Sequence, residues 1–116
     1  MNSASLSRFA AAGALFAFAT VTTAALAAGP DEKPFLSENK VAMTKMMAAM
    51  QIRPSGDVDR DFVDMMVPHH QAAIDMARAV LRHGHNEQIR RIAQEIVDKQ
   101  QQEIVAMRHA VGEQAK

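Results

Sequence analysis

The chain has 116 residues, with thirteen basic and thirteen acidic side chains and no cysteine. The absence of cysteine excludes disulfides, thiolate zinc sites and covalently attached haem, and the even charge leaves no basic face for nucleic acid. A chain of this size holds one small domain with a modest core.

The first segment reads as an address. Arg8 gives a short positive start, Phe9 to Ala25 is an alanine-rich apolar run, and Ala25-Leu26-Ala27 offers a small-x-small cleavage site. This is the pattern of a secretory signal peptide over residues 1–27. The alternative is an uncleaved membrane anchor, because positions 9 to 28 carry no charge and are numerous enough to span. The breaker pair Gly29-Pro30 directly after the cleavage pattern favours the cleaved leader. The expected product is periplasmic or secreted, free of the membrane, with a net charge of −1 when its histidines are neutral. Lacking disulfides, it must be held by packing, oligomerisation or a bound ligand. It keeps eight of the nine methionines, and its only aromatic residues are Phe35 and Phe62.

Residues 28–36 read as a linker. Ser37 is the expected N-cap of a first helix, with Glu38 favourable in its first turn. That helix runs to about Met50, with Leu36, Met43 and Met50 seven apart and Met46 and Met47 between them. Pro54-Ser55-Gly56 breaks the pattern, and Asp57 or Asp59 can cap a second helix. The second helix is expected over Val58–His83, ending at Gly84 as a left-handed C-terminal residue. A third helix follows from Asn86 or Glu87 to Val111, and residues 113–116 form a tail. No strand pattern occurs. The fold expected over residues 37–112 is all-α, a small antiparallel bundle of three helices joined by short connections.

The second helix carries the chemistry. Met65-Met66-Val67-Pro68-His69-His70, with Met76 beyond, sets Met65 one turn before His69 and Met66 one turn before His70. Thioether and imidazole are the side-chain ligands that suit copper where thiols would oxidise. At 100° per residue, His70 falls in the core seam, and His69 lies on a flank between Met65 and Met76. On the third helix Ile89, Ala93, Ile96, Gln100, Glu103, Met107 and Ala110 alternate spacings of four and three, as a packed seam does. Gln100 and Glu103 are polar intruders there and need partners. The second-helix histidines are the candidates, because a metal-bound imidazole usually gives its other N–H to a carboxylate or carbonyl. Met107 is then a candidate ligand, and Gln100 and Glu103 are orienting groups.

Plainer readings exist for each signal. Met43, Met46, Met47 and Met50 suit adaptable core filling as well as an additional metal site. His70 alone suits a hydrogen-bonded core residue. His83 and His85 suit surface cations at a helix C-terminus. Gln100 and Glu103 could simply fix register. Their coincidence in one cysteine-free exported domain favours metal.

The run Gly56-Asp57-x-Asp59-x-Asp61-Phe62-x-x-Met65-Met66-x-Pro68-His69-His70-Gln71-Ala72-Ala73-Ile74-Asp75-Met76-Ala77 resembles the signature of a bacterial exported family, domain of unknown function 305, described as ferritin-like. Ile92-Ala93-x-x-Ile96 and Gln100-x-x-Glu103-Ile104-x-x-Met107 resemble its second block. The resemblance implies a helical bundle, export and copper binding. Carried over by position, it implies Met65, Met66, His69, His70, Met76 and Met107 as ligands. The chain departs from the family where Ala110 and His83 stand at positions that commonly hold aromatics.

The expected function is copper binding outside the cytoplasm, with Cu(I) preferred because methionine is soft, neutral and needs no deprotonation. Sequestration or transfer to an unidentified donor or acceptor protein would follow. Pro68 should kink the second helix beside the two imidazoles. No catalytic arrangement is visible, and the Glu-x-x-His spacing of di-iron bundles is missing. The alternatives are a metal-free interaction module with a methionine-rich docking surface, and a b-type haem bundle with Met and His axial ligands. Three helices leave an open side, which a homodimer would close.

Overall fold

A computed structural model describes residues 29–113, so the signal-peptide expectation and the last three residues of the tail lie outside the described residues. Three helices follow in order: α1 over Glu32–Ala49, α2 over Val58–His83 and α3 over Glu87–Ala110. The all-α expectation holds, and two helix starts have clear local causes. The Asp57 carboxylate accepts from the backbone N–H groups of Asp59 and Arg60, and the Asn86 side chain accepts from Ile89 N. Gly56, with φ +87, makes the left-handed turn before α2, where a side chain would be strained.

Two boundaries differ from expectation. α1 begins at Glu32, so residues 32–36 are helix rather than linker and Ser37 is no N-cap. The Gly29 carbonyl accepts from the N–H groups of Glu32 and Lys33, while the Glu32 carboxylate reaches back to Gly29 N. Pro34 sits in this first turn, where its missing N–H costs nothing. Gly84 is not left-handed: its φ is −82 and ψ 153. Glycine is required there by space, since a Cβ would lie 2.7 Å from the Val80 carbonyl oxygen. The Arg90 guanidinium donates to the carbonyls of Leu81 and Gly84 and so caps the end of α2.

α2 lies between its neighbours and runs antiparallel to both. At one end of the α1–α2 pair Glu38 meets Arg82 and His83; at the other Ala49 and Met46 lie beside Pro68 and Ala72. Along α2–α3, Arg90 reaches Leu81, His70 meets Glu103, and Arg60 reaches the Val111 carbonyl. Among the described residues α1 and α3 do not pack on one another. Among the described residues the three helices form a layer with α2 in the middle and a groove on each face.

The core is unevenly shared. Its cluster is Ile74, Ala77, Ala93, Val97 and Ile104, all from α2 and α3, with Val67, Val80, Leu81, Ile96 and Met107 packed around it. The α3 seam is therefore rotated toward Val97 and Ile104, leaving Ile89 and Ala110 exposed. α1 contributes a single buried residue, Ala42, against a stripe of α2 that includes the buried Ala72 and Ala79. Small side chains let these helices approach closely but bury little apolar area. Polar contacts supplement them: Glu38 with Arg82 and His83, and Asp31 with His85 at 2.8 Å.

Candidate metal centre

The placement of α1 and α3 on roughly opposite sides of α2 decides which α2 residues face outward. At 100° per residue, Phe62, Met65, His69, Ala73, Met76 and Val80 fall within one stripe between the two neighbours. Its C-terminal part, Ala73, Met76 and Val80, floors a groove of about 290 Å³ walled by Phe35 and Asn39 of α1 and by Ile89, Ile92, Ile96 and Gln100 of α3, whereas Phe62, Met65 and His69 lie beyond that groove. Phe62 is 53 % exposed, Met65 37 % and Met76 39 %. The opposite side of the layer is polar, with Ser37, Lys45, Asp75, Arg78 and Arg82 around its own groove.

The structure separates the six expected ligands into two groups. His69, Met65 and Met76 stand on the open face, all exposed. His69 has none of the histidine hydrogen bonds among the described residues, which belong to His70, His83 and His85. His70, Met66 and Met107 lie half-buried in or beside the α2–α3 seam. His70 Nδ1 is 3.0 Å from the Met66 carbonyl oxygen, and Nε2 is 2.7 Å from Glu103 Oε2. A carbonyl can only accept, so Nδ1 donates to Met66, while Nε2 faces the Glu103 carboxylate oxygen. Both ring nitrogens are thus taken up by contacts within the protein. Glu103 thus meets a histidine, as expected of an orienting group, and the ring it orients is locked between two protein oxygens.

α2 is helical without interruption through Pro68, which lacks the N–H that would bond the Asp64 carbonyl. The two imidazoles do not share a direction: His70 is 13 % exposed at its side chain, whereas His69 faces out.

The α1 methionines run alongside this stretch. Met46 lies beside Pro68 and Ala72, and Met50 follows one turn later, close to the level of His69. Met43 and Met47 are exposed. Antiparallel packing therefore brings the methionine-rich segments of α1 and α2 side by side, a neighbourhood that neither helix reveals alone. Among the described residues no group of three or more histidine and carboxylate side chains is placed to hold an ion. The donors along the open stripe are the thioethers of Met65 and Met76 and the imidazole of His69, a soft set.

Two buried polar atoms on this face have no partner among the described residues. Asn39 Nδ2 donates to the Phe35 carbonyl at 2.7 Å, which fixes its amide orientation, and Asn39 Oδ1 is left buried without a partner. Gln100 Oε1 is likewise buried and unpartnered, and reaches neither histidine. Both residues line the open groove. A second feature lay beyond sequence reading: the Glu38 carboxyl is held below the usual carboxylate range, first by hydrogen bonding to Arg82 and then by His83. Residues more than forty positions apart make that contact, so no local pattern announces it.

Residues 19–111 match the model of a family described as Domain of unknown function (DUF305), and the chain belongs to that family. No curated protein matches it.

Proposed function

We propose that this DUF305 chain binds Cu(I) outside the cytoplasm, at the open face of its bundle, and serves to sequester or pass on the ion. The observation that carries this reading is His69: an exposed imidazole without a hydrogen-bond partner among the described residues, one turn from the Met65 thioether, with Met76 on the same stripe. Met46 and Met50 of α1 are the candidates for an additional ion. Neutral sulfur ligands bind a monovalent soft ion without the charge that zinc or iron sites draw from carboxylates and thiolates. The ferritin-like description fits at the level of antiparallel helices that present ligands toward a shared face.

His70, Met66 and Met107 take a different part in this account. The His70 ring, fixed by Met66 and Glu103, holds α2 in register against α3 and so sets the direction of the neighbouring His69. Exposure of the ligands suits cargo that must be collected and surrendered rather than a permanently buried cofactor.

The test is a competition titration of metal-free protein with Cu(I) and a chromophoric chelator, repeated with zinc. Transfer of copper but not zinc to the protein supports the reading; no transfer of copper sinks it. The metal-free docking module keeps some support from the apolar open face. A haem bundle has less, because the free imidazole and its thioethers lie along one stripe of a single helix rather than opposed across a slot.

A further inference from the structure

We propose that the Met65 and Met76 thioethers are a two-electron oxidation site, and that their conversion to sulfoxide by a peroxide releases the ion from the open face. The proposal rests on the copper reading above and adds the condition under which the ion is surrendered.

The first observation is compositional. Sulfur is the readiest peroxide target in a protein, and with no cysteine every sulfur here is a methionine thioether. Oxidising equivalents that reach this chain therefore land on methionine. Outside the cytoplasm no glutathione pool intercepts them first.

The second is placement. Met43, Met47, Met65 and Met76 are exposed, whereas Met46, Met50, Met66 and Met107 are half-buried. Oxidation follows exposure. On α2 the sulfurs reached first are thus the two that share the stripe with His69. Met66 lies with the His70–Glu103 bridge, and Met107 packs against the core cluster. The buried cluster itself, Ile74, Ala77, Ala93, Val97 and Ile104, contains no methionine. Oxygen can therefore be added to the candidate ligands without entering the core. That separation of ligand sulfur from packing sulfur makes the modification a switch rather than damage.

The third is chemistry. A thioether lone pair attacks one peroxide oxygen, so an S–O bond forms and the O–O bond breaks. The sulfur is oxidised by two electrons, and the peroxide is reduced to water, which keeps both protons. The sulfoxide presents a hard oxygen where a soft sulfur stood, and Cu(I) prefers the soft donor. His69 is then left without its two thioethers. Sulfoxide reductases, one for each sulfur epimer, return the thioether, so the change is reversible.

The test uses metal-free protein purified after expression of the full chain. It is treated with hydrogen peroxide, cleared of peroxide with catalase, mapped by peptide mass spectrometry, and titrated with Cu(I) against a chromophoric chelator. Met65 and Met76 should gain oxygen before Met66 and Met107. Copper affinity should then fall about tenfold or more at unchanged helical circular dichroism, and the reductases should restore it. Met43→Leu/Met47→Leu, which removes the two exposed α1 sulfurs, should show the same loss on oxidation. Earlier oxidation of Met66 and Met107 overturns the proposal. So does a loss that accompanies unfolding, or one that disappears in Met43→Leu/Met47→Leu. Untreated protein that takes no copper sinks the copper reading and this proposal with it. Untreated protein that binds copper, and binds it equally well once Met65 and Met76 are oxidised, sinks this proposal alone.

Discussion

The imidazole of His70 spans the seam between α2 and α3, with Nε2 2.7 Å from Glu103 Oε2 and Nδ1 3.0 Å from the Met66 carbonyl oxygen. A ring pinned at both nitrogens is a structural member. His70→Ala should therefore lower stability by about 1–2 kcal/mol, at the modest end because Glu103 is partly open to water and can rehydrate. Urea unfolding followed by circular dichroism reads this as a lower midpoint at unchanged slope. An unchanged midpoint would remove the bridge from the account.

The α1 contact depends on a carboxylate. The Glu38 carboxyl is held below its ordinary value by Arg82 and then His83, so it favours the folded state when ionised. That contribution is complete above the unfolded carboxylate value near 4.5 and is lost as pH falls through the lower folded value. The stability gap between wild type and Glu38→Gln should be widest near neutrality and close in acid. Denaturant midpoints collected across that range measure it, and a gap that grows on acidification contradicts the assignment.

Core energetics should be lopsided. Ile74 is 1 % exposed within the α2–α3 cluster, so Ile74→Ala should cost about 2–5 kcal/mol. Met47, exposed on α1, should tolerate alanine within about 0.5 kcal/mol. Equal losses at both positions in thermal or urea melts would mean that α1 is packed more deeply than described.

Gly84 offers a steric check. With φ −82 an alanine is conformationally allowed, but its Cβ would collide with the Val80 carbonyl oxygen. Gly84→Ala should destabilise by about 1 kcal/mol or more through displacement of the α2 end. An alanine variant as stable as wild type would show that the turn relaxes freely.

Much of the fold was legible because its signals are local. Asp57, Asn86, Gly56 and the 3.6-residue pattern of α2 announce helix ends and faces within a few residues of themselves. The start of α1 was misplaced because its cap is made by the Gly29 backbone and the Glu32 side chain, so Ser37 looked the better candidate. Gly84 was given the wrong conformation because a left-handed residue and a close approach both select glycine. The division of His69 from His70 could be drawn from helical angles, but the locking of His70 could not. That depends on the α2–α3 register, which sets Glu103 rather than Gln100 opposite the ring. The open face was hidden for a similar reason: a wide apolar arc on α2 looks the same whether two neighbours cover all of it or leave a stripe bare.

The most direct measurement is Cu(I) affinity by chelator competition for wild type, His69→Ala and His70→Ala, each at a temperature where it remains folded. The account predicts that His69→Ala weakens copper binding about tenfold or more, while folded His70→Ala stays within about threefold of wild type. Equal loss from both histidines, or loss from His70→Ala alone, would contradict the placement of the ion on the open face.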